Sequence, residues 1–250
     1  MADNNRFAEI FAKRKTENAK DNETVIIGDI TRFDVIESYK EIRTNVMFSL
    51  AGEGAKIICM TSTSPDDGKT TTCINLAITI AQTGINVLII DGDLRKPEIH
   101  KILKLSTEPG LTNALRGFCE LNDAIQKTPY KNLDVLVSGH IPPNPVELLS
   151  SDEMAKLLET VKKSYDYIFI DVPPINSVTD VAVLSNLVSG IILIVRHCVT
   201  TFDDISSAIE KLKLVNGKIL GFIMNDVNER INHKGYYKRS YYAYRSDTDD

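Results

Sequence analysis

The run that most restricts how this chain folds begins at Lys56 and reads KIICMT, then STSPDDGKTTT, then CINLAITIAQ. A short β-branched apolar run predicts a strand, and the closing apolar stretch predicts a helix. Between them lies the core Gly68-Lys69-Thr70. Successive backbone N–H groups at the start of a helix form a concavity for anions, and glycine lets that backbone meet a phosphate with no side chain between. Lys69 brings positive charge to the β- and γ-phosphates, and the Thr70 hydroxyl is a hard oxygen ligand for Mg²⁺. Asp67, Gly68, Lys69, Thr70 and Thr71 are therefore the candidate phosphate-binding residues. The strict pattern has glycine six residues before the lysine, and this chain has Thr63 there. The motif gains its weight from the strand–helix setting; a surface turn with an exposed lysine is the plain alternative.

The rest of the chain repeats the same alternation. Apolar runs at 56–61, 86–91, 133–138, 167–171, 190–196 and 219–224 predict six strands covered on both faces. Helical spacing is present at 36–50, 69–82, 111–115, 152–164, 179–187 and 202–215. This is the pattern of an α/β protein with a P-loop NTPase-like, doubly wound, mainly parallel sheet, whose ligand crevice lies beyond the carboxyl ends of the strands. Two further strands end in acid. NVLIID leads into Asp91-Gly92-Asp93-Leu94-Arg95, and DYIFID ends at Asp171 before Val172-Pro173-Pro174. In a parallel sheet these ends face the same rim as the phosphate loop, so Asp91, Asp93 and Asp171 are expected to converge on a Mg²⁺–nucleotide centre. Any one of them alone would pass for an ordinary loop cap.

Composition narrows the function. The 29 Lys and Arg residues against 34 Asp and Glu leave a net charge of −5, which argues against a general nucleic-acid binder. No apolar run approaches the about 20 residues needed to span a bilayer, and the first residues lack the apolar core of a secretory signal. Cys59, Cys73, Cys119 and Cys198 stand far apart, with no metal-ligand spacing, and are expected to be free thiols in a reducing compartment. A cytoplasmic location is the expectation. Residues 1–30 are expected to form a polar arm, 31–228 the nucleotide-binding domain and 229–250 a separate tail.

Taken together, the phosphate loop with Pro65, the motif LIIDGDLR and the motif IFIDVPP resemble the three Walker-type motifs of bacterial tyrosine kinases. The similarity is greatest to the soluble kinases of Gram-positive capsule and exopolysaccharide systems. GHIPPNPVELL at 139–149 and the helix ESYKEIRTN at 37–45 extend it. The resemblance implies ATP and Mg²⁺ as cofactors, with Lys69 at the transferring end and Thr70, Asp93 and Asp171 holding the metal. Asp91 would accept the proton of an incoming tyrosine, whose ordinary pKa is about 10. Arg95 is implied as a second cation, with a plain ion pair as its alternative, and Asn225 as an adenine contact, with strand capping as its alternative. Glu37, Lys40 and Arg43 occupy the family's subunit-contact pattern and imply a homo-oligomeric ring. Lys40 stands where that pattern has arginine, and lysine lacks the planar two-pronged carboxylate contact. A membrane activator protein of the polysaccharide co-polymerase type, recruiting the chain to the inner face of the membrane, and a cognate tyrosine phosphatase complete the implied partners.

The tail carries five of the nine tyrosines: Tyr236, Tyr237, Tyr241, Tyr242 and Tyr244. Flexible tails are normally poor in aromatics, so the cluster is expected to be the phosphorylation substrate, with packing of the tail against the domain as the plain alternative. A different class of protein shares the sheet and motifs, the partition or division-site positioning ATPases. Those have a signature lysine five residues before the loop lysine, where this chain has Ser64, and their membrane-binding members end in an amphipathic helix rather than a tyrosine cluster.

Overall fold

Apolar runs with no polar alternation have to be covered on both faces, and the runs at 56–61, 86–91, 133–138, 167–171 and 190–196 are; the run at 219–224 is instead an edge strand with Phe222 and Met224 exposed. The computed structural model describes residues 26–28 and 31–227, so the tyrosine cluster and most of the 1–30 arm lie outside the described residues. Helix α1 (Phe33–Ser49) precedes β1 (Lys56–Ser62), α2 (Lys69–Ala81) and β2 (Val87–Asp91). Three short helices follow, α3 (Ile99–Leu103), α4 (Leu111–Leu115) and α5 (Leu121–Ala124), then β3 (Ile125–Lys127) and β4 (Leu133–Leu136). Next come α6 (Pro145–Leu149), α7 (Asp152–Val161), β5 (Tyr167–Asp171) and α8 (Asp180–Leu184). The described chain closes with β6 (Gly190–Arg196), α9 (Phe202–Leu214) and β7 (Ile219–Asn225).

The strands form one sheet in the order β3-β4-β2-β5-β1-β6-β7. Every pairing is parallel except β3 with β4. The expected six strands are thus seven: β3 is a three-residue antiparallel edge strand, too short to carry an apolar pattern. Side chains alternate across the sheet as strand geometry requires. Ile57, Cys59, Leu88, Ile90, Ile168 and Ile170 enter a core closed by α7, α8 and α9, while Ile58, Met60, Ile89 and Phe169 enter a second core beneath α2. All four cysteines are free thiols.

Helix α2 is buried throughout except at Lys69 and Thr71. A helix apolar on all sides needs cover on its outer side, and α1 supplies it. Arg43 of α1 donates to the carbonyl of Thr79 at 3.1 Å, and the Tyr39 hydroxyl accepts from the Asn75 side-chain amide at 3.3 Å. Ile27 adds a third anchor: its side chain is buried and its N–H donates to Asn75 Oδ1 at 2.9 Å. The end of the polar arm is therefore pinned to the helix that starts at the phosphate loop.

Because β5 lies between β1 and β2, the three motif strands are neighbours. Asp91 and Asp171 stand opposite each other in register, and Met60 is the β1 partner of Asp171.

Candidate active site

The loop from Ser62 to Gly68 takes its shape from its own short polar residues. Asp67, almost wholly buried, accepts from the Thr63 hydroxyl at 2.8 Å and from the Ser64 N–H at 2.9 Å through one carboxylate oxygen. The Ser62 hydroxyl donates to the Ser64 carbonyl at 2.8 Å. Thr63, which replaces the glycine of the strict pattern, thus braces the loop from within. Gly68 has φ +85°, where an L side chain is strained, and a Cβ there would lie 2.0 Å from Asn225 Nδ2. The backbone N–H groups of Gly68, Lys69, Thr70 and Thr71 bond no acceptor among the described residues. They are the orphan donors of a helix start, facing the rim where the acidic strand ends lie.

At that rim the Lys69 ammonium lies 3.2 Å from Asp93 Oδ2, 3.1 Å from Asp171 Oδ2 and 3.3 Å from the Thr70 hydroxyl. The Thr70 hydroxyl donates to Asp171 Oδ2 at 2.7 Å. All three charged groups are largely buried, Asp171 almost completely. Burial works against the charge on Lys69, but Asp171 and Asp93 outweigh it and hold its pKa above the ordinary lysine value. Burial likewise raises the Asp171 carboxyl, with Lys69 and Thr70 pulling the other way. The residues aim their oxygens at a cationic position.

Asp91 stands one step behind. It is fully buried, and its two oxygens accept from the N–H groups of Asp93 and Ile99, each at 3.3 Å. Burial and then the facing charge of Asp171 push its pKa well above the ordinary carboxylate range. Both of its oxygens are thus held by backbone amides, away from solvent. Arg95 makes the ion pair anticipated as its plain reading: Nε and Nη2 donate to the two oxygens of buried Asp180, at 3.3 and 3.2 Å. Asn225 leaves the end of β7 and donates from Nδ2 to the Asp67 carbonyl at 2.9 Å. On α1, Lys40 pairs with Glu37 at 2.7 Å within the helix.

Sequence reasoning missed Arg196. It forks onto Asp226 Oδ2 from Nε at 3.0 Å and from Nη2 at 2.9 Å, and its Nη1 donates to the Asp66 carbonyl at 3.3 Å. No pattern marks an arginine at a strand end for such a role.

The residues fit a nucleotide phosphate chain and Mg²⁺. Four unpaired amides suit phosphate oxygens, and the Thr70–Asp171–Asp93 oxygens already enclose a cation. Among the described residues no group of three or more acids, histidines or cysteines forms a metal cage. No described helix is long and apolar enough to cross a membrane.

Comparison with known proteins places the chain in a family. The AAA domain family matches residues 55–221. Tyrosine-protein kinase YwqD of Bacillus subtilis is 38% identical over 228 residues, covering 91% of this chain and 96% of its own length. Among solved structures, the kinase domain of the Escherichia coli tyrosine kinase ETK superposes with a TM-score of 0.76 at 36% identity, over 81% of this chain and 79% of that one. The chimerical protein CapA2B2 superposes with a TM-score of 0.73 at 34% identity, over 81% and 94%.

Proposed function

The chain belongs to the bacterial tyrosine kinases of the capsule type, and from that premise we propose that it transfers the terminal phosphoryl group of ATP, with Mg²⁺, to the tyrosines of its own tail on a neighbouring copy. The observation that carries this reading is the convergence of Lys69, Thr70, Asp93 and Asp171 beside the open amides of the phosphate loop. Phosphoryl transfer asks a protein mainly for position and charge. The Gly68–Thr71 amides hold the phosphate chain, while Lys69 supplies a fixed positive charge to the group in transfer. Thr70, Asp93 and Asp171 would hold Mg²⁺, which would neutralise charge on the phosphate oxygens. Asp91 receives the proton of the acceptor hydroxyl. Its raised pKa suits a base, and the role requires the 92–99 segment to move off its buried carboxyl.

The acceptors are Tyr236, Tyr237, Tyr241, Tyr242 and Tyr244, within a segment that also carries Lys234, Lys238, Arg239 and Arg245. Each phosphate adds about −1.5 to −2 charges, so several reverse the sign of the tail and loosen any acidic docking face. Through this switch the chain regulates capsular or exopolysaccharide synthesis or export. It does so as a ring of cytoplasmic copies meeting through Glu37, Lys40 and Arg43, brought to the inner face of the membrane by an activator and reset by a phosphatase. That CapA2B2 is a chimera supports the activator.

The full chain and a truncation ending at Val227, each incubated with labelled ATP and Mg²⁺, test the proposal. Label on tyrosine is expected in the full chain and mostly lost in the truncation. Equal phosphotyrosine in both refutes the tail as acceptor, and released phosphate with no labelled protein refutes the kinase reading of this chain.

A further inference from the structure

Peptide planarity has a consequence at the phosphate loop. In a trans peptide the C=O of one residue and the N–H of the next point in opposite directions. Fixing the Asp66 carbonyl outward therefore aims the Asp67 N–H inward, and fixing the Asp67 carbonyl outward aims the Gly68 N–H inward. Both carbonyls are held by side chains from strand ends on the far side of β1: Asp66 by Arg196 at the end of β6, and Asp67 by Asn225 at the end of β7. Asp66 itself sits at φ +63°, a left-handed conformation that a non-glycine residue keeps only when its surroundings impose it.

We infer that Arg196 is a positioning residue for the phosphate loop, acting on nucleotide affinity through the Asp66 carbonyl with its guanidinium set by Asp226. The geometry has three parts. Two guanidinium nitrogens are committed to one Asp226 oxygen, which orients the plane of the fork and leaves Nη1 directed at the loop. The Arg196 N–H donates to the Thr200 hydroxyl at 2.8 Å, so the backbone beneath the side chain is fixed as well. Asp226 has φ +58° and follows Asn225 directly, so the two clasping side chains stand on one short stretch and its neighbouring strand. Lysine would reach one of these oxygens and not both.

The inference rests on residues 62–71 being the phosphate seat, and the test separates the two. A fluorescent ATP analogue is titrated, with Mg²⁺, into the full chain and into its Arg196→Ala, Arg196→Lys and Asp226→Ala variants, with a thermal melt of each. Arg196→Ala is expected to weaken binding about tenfold, the size of one lost charge-assisted hydrogen bond. Its melting midpoint should fall by less than about 4 °C, because an exposed ion pair contributes little to folding. In the kinase assay the loss should fall on the KM for ATP rather than on kcat. Arg196→Lys is expected to recover part of the affinity, and Asp226→Ala to lose less than Arg196→Ala. Unchanged affinity in Arg196→Ala, with the unaltered chain binding normally, overturns the inference and leaves the phosphate seat intact. So does a loss of affinity that merely follows a large fall in melting midpoint. If the unaltered chain binds no analogue, the phosphate seat fails and this inference with it.

Discussion

Lys69→Met is expected to lower tyrosine phosphorylation about 10³-fold, the scale seen when a single charge-stabilising donor is removed from a reacting centre. The same substitution also weakens the fold, because Lys69 is the counter-charge of two largely buried carboxylates, Asp93 and Asp171. Removing one partner of a buried pair costs about 3–5 kcal/mol. For a chain of this size that lowers the melting midpoint by roughly 6–20 °C. The pH dependence has a definite sign. Burial already raises the Asp171 carboxyl, and Lys69 opposes that rise. Without the lysine the native pKa climbs further above the unfolded value, so the native state holds the proton more tightly. Stability is then greatest at low pH and is lost as pH rises through the native pKa. Melts in EDTA at pH 5 and pH 8 should show Lys69→Met close to the unaltered chain at pH 5 and far below it at pH 8. Added Mg²⁺ should recover part of the pH 8 deficit. Equal melting at pH 8 would mean that the three charges do not depend on one another.

Gly68→Ala should cost nucleotide affinity about 10²-fold through two separate effects. At φ +85° an L side chain is strained by about 1–2 kcal/mol. The new methyl would also lie 2.0 Å from Asn225 Nδ2, forcing apart the contact that holds the Asp67 carbonyl. The double variant Gly68→Ala/Asn225→Ala removes the clash while keeping the strain. Its loss of affinity should therefore be smaller than the two single losses combined, which is the mark of coupled neighbours. Titration of a fluorescent ATP analogue into the three variants decides it. Strictly additive losses would place the damage in the backbone alone.

Most of this site could be read from the sequence because it is local. Gly68, Lys69 and Thr70 follow one another at a strand–helix junction, and Asp91 and Asp171 each end a continuous apolar run. A parallel sheet then brings those ends to one rim, so Lys69, Thr70, Asp93 and Asp171 met as expected. What could not be read depends on partners remote in the chain. Arg95 pairs with an aspartate 85 positions away, and Arg196 reaches a carbonyl 130 positions away. The inward turn of Asp91 arises because the backbone passes over it and supplies the Ile99 amide, which no side-chain pattern reports. The strand β3, at three residues, is too short to show a period. The pinning of Ile27 depends on Asn75, a polar residue inside a helix that otherwise reads as core.

The placement of β5 between β1 and β2 also fixes when the protein becomes competent. During synthesis the phosphate loop emerges before the acidic end of β2, yet these two strands are joined only through β5, which must wait for residues 167–171. Contacts so distant in the chain form slowly and late. A nascent chain halted before Asp171 lacks the carboxylate that meets Lys69, and one halted before Asn225 lacks half of the grip on the loop. The phosphate loop thus acquires its full set of neighbours only after β5 and β7 have joined the sheet.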